Sequence, residues 1–149
     1  MSPTKLRLTV GETVLATKLI DGTFPDFTRV IPVGNDKLAR LDKAELAAAV
    51  DRVSTVSSER GRAVKASLSK DRLTLSVSNP DSGDATEDLE AEYDTDPFEI
   101  GFNSRYVLDI LSAFPADKVQ IALADAGSPA LFTVEGGSAP AFVLMPMRV

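Results

Sequence analysis

Few side chains in this 149-residue sequence could do covalent or metal chemistry, because it contains no histidine and no cysteine. That removes Ser-His-Asp and Cys-His nucleophiles, His/Cys zinc sites, disulfides and an imidazole general base. Catalysis would have to rest on carboxylates, lysine, tyrosine or a hard cation. The best-spaced carboxylates are Asp94 and Asp96, two positions apart and so on one face if the chain is extended there. A divalent cation or an acid/base pair would want that spacing, which makes a Mg²⁺-using enzyme the rival functional reading. Pro97 follows directly, however, and the setting reads as a turn whose acids form a solvated surface or an electrostatic docking edge. Ser57, Ser58, Ser67 and Ser69 have no base in a recognisable arrangement and read as surface hydroxyls. Neither Gly-x-x-x-x-Gly-Lys nor Gly-x-Gly-x-x-Gly occurs. No cofactor and no metal is expected.

Charge is the next signal. Sixteen Lys and Arg face 22 Asp and Glu, a net charge of −6 that argues at first against a nucleic-acid partner. The acids are not evenly spread. From Arg72 to Arg105 there is no intervening basic residue, and the stretch carries Asp81, Asp84, Glu87, Asp88, Glu90, Glu92, Asp94, Asp96 and Glu99. Setting these nine aside leaves 13 acids against 16 bases, a balance of +3. Lys37, Arg40, Lys43, Arg52, Arg60, Arg62, Lys65 and Lys70 cluster around a first helix, with Arg29 nearby. They read either as an ordinary mixed helix surface or as a modest phosphate-facing one, too weakly charged for tight binding. No apolar run approaches the ~20 residues of a membrane span and no signal peptide opens the chain, so a cytoplasmic protein without a membrane partner is expected.

The elements that must position these residues repeat a pattern. An opening hairpin alternates Leu6, Leu8 and Val10, turns at Gly11-Glu12 and returns over Val14 to Ile20. Phe27 to Pro32 reads as a short extended piece, followed by a loop at Gly34-Asn35-Asp36. Asp42 with Glu45 resembles a capping box, and Leu46, Val50 and Val53 form one helical face. Three alternating runs follow: Val64, Ala66, Leu68; Leu73, Leu75, Val77; and Leu89, Ala91, Tyr93, the last after a loop from Asn79 to Asp84. Phe98, Ile100 and Phe102 then make a strand, and Asn103 or Ser104 caps a second helix with Val107, Leu108, Leu111 and Phe114 on its apolar face. Pro115 stops it, and strands are expected over 119–124, 130–135 and 141–147. Residues 27–93 and 97–149 thus both read strand, helix, strand, strand, strand. The expected class is α+β, with both helices on one side of antiparallel sheets.

The C-terminus, Phe142-Val-Leu-Met-Pro-Met-Arg-Val149, reads as a core strand with two methionines around a proline, a residue type used where one surface accepts several partners. Together with Lys18-Leu-Ile-Asp-Gly-Thr-Phe-Pro-Asp-Phe-Thr-Arg-Val-Ile-Pro32 and Gly101-Phe-Asn-Ser-Arg-Tyr-Val-Leu-Asp-Ile-Leu111, it resembles the bacterial DNA polymerase III beta subunit family, the sliding clamps. The resemblance is collinear from about residue 5 to the end but spans less than half of the family's length. It implies a DNA-clamp fold: residues 1–26 would be the closing hairpin of a preceding clamp domain, with Met1-Ser2-Pro3 an engineered or alternative start, and 27–149 the C-terminal clamp domain. It further implies a non-enzymatic processivity factor, a homodimer ring around duplex DNA. Polymerases, clamp loader and repair proteins would be held there through short linear peptides, DNA contact would be sequence-independent, and loading energy would come from the ATP-driven loader.

Carried over residue by residue, the partner-peptide pocket falls on Pro25, Val30, Asn103, Tyr106, Val143, Leu144, Met145, Pro146, Met147 and Arg148. The subunit interface falls on Thr55, Val56, Asp81, Asp84 and Glu87, a face that in the family meets a basic one. Arg29, Lys43 and Arg52 are the expected DNA-facing residues. Val149 stands where the family usually has Leu, and Phe27 where Tyr is common. The pocket would lack what the family takes from the rest of the preceding domain, and the chain alone should not close a ring. A stand-alone, clamp-derived binding module is the remaining alternative.

Overall fold

A computed structural model of the chain describes residues 4–57, 62–136 and 140–149. Ser58, Arg60 and Met1-Ser2-Pro3 lie outside the described residues. The opening hairpin forms as expected: β1 (Lys5–Val10) pairs antiparallel with β2 (Thr13–Lys18) around Gly11, whose φ of +58° suits a residue without a side chain. The register puts Leu6, Leu8, Val10 and Leu15 on one face and Lys5, Arg7 and Lys18 on the other. Every residue of both strands is exposed, and the pair is a two-stranded sheet of its own.

Phe27 to Pro32 is not extended. Phe27–Arg29 is a 3-10 turn, because the Asp26 carboxylate accepts from the backbone N–H of Thr28 at 3.2 Å and caps it. The strand that opens the first unit is instead β3 (Lys37–Asp42). Its alternation is real, with Ala39 and Leu41 buried. It is hard to read because Ala39 is small, Leu38 is exposed and charges flank both. Lys37 and Arg40, expected near the first helix, therefore sit on this strand.

Asp42 caps α1 (Lys43–Ser54) by accepting from the Glu45 N–H at 2.9 Å, and Leu46, Ala49, Val50 and Val53 are buried. β4 (Ala63–Ser69), β5 (Arg72–Asn79) and β6 (Gly83–Glu90) follow as a meander. The third strand thus begins and ends earlier than the Leu89–Tyr93 run suggests. Ala91 and Tyr93 are buried, but beyond Glu90 the chain leaves β5 and Glu92 bridges to Arg40 of β3 instead. The second unit is β7 (Phe98–Asn103), α2 (Ser104–Ala113), β8 (Lys118–Leu123), β9 (Ala130–Thr133) and β10 (Ala141–Leu144), with strand order ending three residues short of the expected Met147.

The two units exchange their first strands. One sheet runs β10-β9-β8-β3 and the other β6-β5-β4-β7, both antiparallel, so each carries one strand from the opposite unit. The helices pack against each other beside these sheets, and Lys43 at the start of α1 donates from Nζ to the Phe114 carbonyl at the end of α2 at 3.1 Å. Phe102 of β7 and Phe132 of β9 meet edge-to-face across the sheets, 6.2 Å between centroids, which ties the exchanged strand into a shared apolar core. No helix among the described residues is long and apolar enough to cross a membrane.

Candidate functional site

Asn103 caps the N-terminus of α2. Asn103 Oδ1 accepts from the N–H groups of Arg105 (3.0 Å) and Tyr106 (3.4 Å), so the side-chain NH₂ is what this residue can offer a ligand. One helical turn on, Tyr106 and, at i+3 and i+4 from it, Asp109 and Ile110 share a face. Opposite them the chain leaves β10 at Leu144. Pro146 has no N–H to extend the ladder, and Met145-Pro146-Met147 crosses as a strap from one sheet to the other. At its far end Met147 bridges to Gly101 of β7.

Between helix and strap lies a groove of about 530 Å³. Asn103, Tyr106, Asp109 and Ile110 line one side, and Val143 to Met147 the other. Tyr106 and Met145 are 57% and 60% exposed, so their apolar surface is available to a partner rather than spent on the core. Walls of this kind, with a few donors at one end, suit an apolar side chain on a segment whose backbone needs orienting.

Seven of the ten expected pocket residues therefore meet: Asn103, Tyr106, Val143, Leu144, Met145, Pro146 and Met147. Pro25, Val30 and Arg148 do not line the groove. Val30 ends the 3-10 turn, 54% exposed, and Pro25 precedes it in a segment exposed throughout. Asp109 and Ile110 were not anticipated, although the helical spacing from Tyr106 carries the signal.

The expected interface residues also share a surface. Asn79 Nδ2 donates to Val56 O at 2.8 Å, which fastens the end of α1, with Thr55, to the β5–β6 connection, with Asp81 in the turn and Asp84 at the start of β6. Glu87 belongs to the same strand but points back to α1, where Arg52 Nε donates to it at 3.0 Å and Nη2 adds a second contact. The Arg52 hydrogen bond holds the Glu87 carboxyl below the usual glutamate range, and the same bond raises the guanidinium. The three expected DNA-facing cations all have internal partners. Arg52 has Glu87, Lys43 has Phe114 O, and Arg29 Nε lies 3.2 Å from Asp26. Asp94 and Asp96 are exposed in a turn closed by Tyr93, whose hydroxyl donates to Asp96 O at 2.7 Å.

The family model for the DNA polymerase III beta subunit, C-terminal domain, matches residues 28–148. The chain belongs to this family. It is 44% identical to the beta sliding clamp of Caulobacter vibrioides over 149 residues, all of this chain and 40% of that protein. It is 37% identical to the Pseudomonas putida clamp over 97% of the chain and 39% of the relative. A crystal structure of a Bartonella birtlesii sliding clamp bound to griselimycin superposes with a TM-score of 0.93 at 48% identity, covering the whole chain and 40% of that structure. A Pseudomonas aeruginosa clamp with ligand gives 0.91 at 37%, covering 41% of its length. The fold is accordingly the α+β clamp fold, and the chain spans about 40% of the length of the relatives it matches.

Proposed function

We propose that this chain is the peptide-docking part of a sliding clamp, a processivity factor without catalytic activity of its own. The observation that carries the reading is the groove: residues from two sequence-distant motifs, 103–110 and 143–147, converge on one apolar cleft with donors at one end. Polymerases, the clamp loader and repair proteins would insert short linear peptides there. One buried Leu or Phe anchor contributes roughly 1.5–3 kcal/mol.

The whole protein would encircle duplex DNA in the cytoplasm as a homodimer. The exposed apolar face of the hairpin, with Leu6, Leu8, Val10 and Leu15, supports residues 1–26 as the closing piece of a preceding domain and 27–149 as the C-terminal one. The acidic surface around Thr55, Val56, Asp81 and Asp84 would meet a basic face of the neighbouring subunit. DNA contact would stay weak and sequence-independent, in keeping with cations that already have internal partners.

Calorimetry with a Gln-x-x-Leu-Phe-type peptide tests the reading. Wild type should bind, weakly if Pro25 and Val30 contribute nothing, and both Met145→Ala and Tyr106→Ala should weaken binding. Equal binding by all three, or binding that maps away from 143–147, removes the groove from the function.

A further inference from the structure

Both walls of the groove hang from β7, from residues two positions apart on the same side of that strand. Asn103 caps α2 and sets the helical wall, while Gly101 receives the strap. Met147 donates its N–H to Gly101 O at 2.8 Å along the edge of β7 that β4 leaves open. Val149 then lies directly over Gly101. A Cβ at position 101 would overlap Val149 Cγ1 and come within 2.9 Å of Val149 Cγ2 and 2.6 Å of Met147 O. The carbonyl is backbone and cannot swing aside as a side chain does, so any larger residue must lift the strap. The φ of Gly101 is not what demands glycine, since it is absent from the positive-φ positions. The demand comes from close approach alone.

We propose that Gly101 is a positioning residue for partner-peptide binding: its missing side chain seats the strap so that Met145 and Met147 complete the groove against Tyr106 and Ile110. The proposal rests on the peptide-docking reading of the groove. Gly101 touches no peptide itself. It acts through the 145–149 segment, and neither charge nor hydrogen-bonding side chains at 101 enter the effect.

The experiment uses the full 149-residue chain, a fluorescently labelled Gln-x-x-Leu-Phe-type peptide, and hydrogen exchange read residue by residue. Gly101→Ala should bind on the order of tenfold more weakly than wild type, a loss typical of a displaced pocket wall. The Met147 amide should exchange faster, while the amides of β8 stay protected and the melting transition stays cooperative. Val149→Gly in the Gly101→Ala background should recover part of the affinity, because it removes two of the three close contacts. Binding by Gly101→Ala equal to wild type overturns the proposal, as does weaker binding with unchanged exchange at Met147. Loss of protection throughout the sheets would also overturn it, by assigning Gly101 to the fold rather than the groove. If wild type itself fails to bind while Met147 still responds to Gly101→Ala, the peptide reading falls and the seat of the strap does not.

Discussion

In the first unit the segment after β6 returns to β3, where Arg40 and Glu92 exchange backbone hydrogen bonds of 3.1 and 2.9 Å; in the second, the segment after β10 returns to β7, where Met147 bonds Gly101. Arg40 stands two residues before the cap Asp42, and Gly101 two residues before the cap Asn103. Each arrangement leaves a recess between a helix N-terminus and a returning strap. Around α1 the recess holds about 410 Å³ and is lined by Arg40, Asp42, Glu45, Glu90, Glu92 and Lys118, among others. Around α2 the same place is lined by Asn103, Tyr106 and the apolar strap.

The difference lies in the side chains. Arg40 reaches Gln120 (3.1 Å), Glu135 (3.2 Å) and Glu92 (3.7 Å), and Lys118 bonds Glu92 at 2.8 Å, so the two cations of the first recess are engaged by its acids. The Lys118 hydrogen bond, followed by its charge, holds the Glu92 carboxyl below the usual range. The apolar residues that line it, Leu41 and Ala91, are buried in the core. At the second recess a glycine stands where the arginine does, Met147 and Met145 stand where Glu92 and Glu90 do, and the lining is largely apolar. One backbone plan thus gives a recess rimmed by charges in one unit and an apolar groove in the other.

The largest way to break the comparison is to remove what both recesses share. Phe102→Ala takes away the ring that meets Phe132 across the sheets and should cost roughly 3–5 kcal/mol in urea denaturation, abolishing peptide binding by unfolding. A smaller change separates the two. Asp42→Ala and Asn103→Ala each delete an N-cap and should each cost about 1 kcal/mol of stability. Only Asn103→Ala should also weaken the peptide; a matching loss in Asp42→Ala would mean that the recesses are not functionally distinct.

Acid should touch the first recess before the second. Because the folded-state pKa of Glu92 is depressed, its stabilisation is present above the ordinary glutamate value of 4.5 and is lost as pH falls below it. Glu92→Gln should therefore flatten the fall in melting temperature through that range, with unchanged peptide affinity at neutral pH. A slope identical to wild type would deny the ion-pair cluster any part in stability. Smallest of all, Asp109→Asn should change affinity by about twofold or less, and only for peptides carrying a lysine, with the gap closing as salt is raised. A large effect would make the groove electrostatic rather than apolar.

Much of this was legible without coordinates. The two helices, the cap Asp42, a second cap narrowed to Asn103 or Ser104, and eight of the ten strands follow from periodicity and stop signals, which are local. The first strand of the first unit is not legible in the sequence, since small Ala39 and exposed Leu38 blur the alternation that burial of Ala39 and Leu41 reveals. Leu89, Ala91 and Tyr93 alternate as one strand would, but the chain changes partner at Glu92, which alternation alone does not show. Asp109 and Ile110 line the groove, and nothing in their residue types distinguishes them until the strap lies opposite.

The sequence by itself determined the α+β class, the paired units, the segregation of charge and the two motifs that carry the groove, because these depend on the order and spacing of neighbouring residues. Only the tertiary structure decided that the units exchange first strands, that Arg52 and Glu87 belong to each other, and that the strap rests on Gly101. Each of these is a contact between residues 30 or more positions apart, set by which strand edges are free and which side chains leave room for a neighbouring backbone.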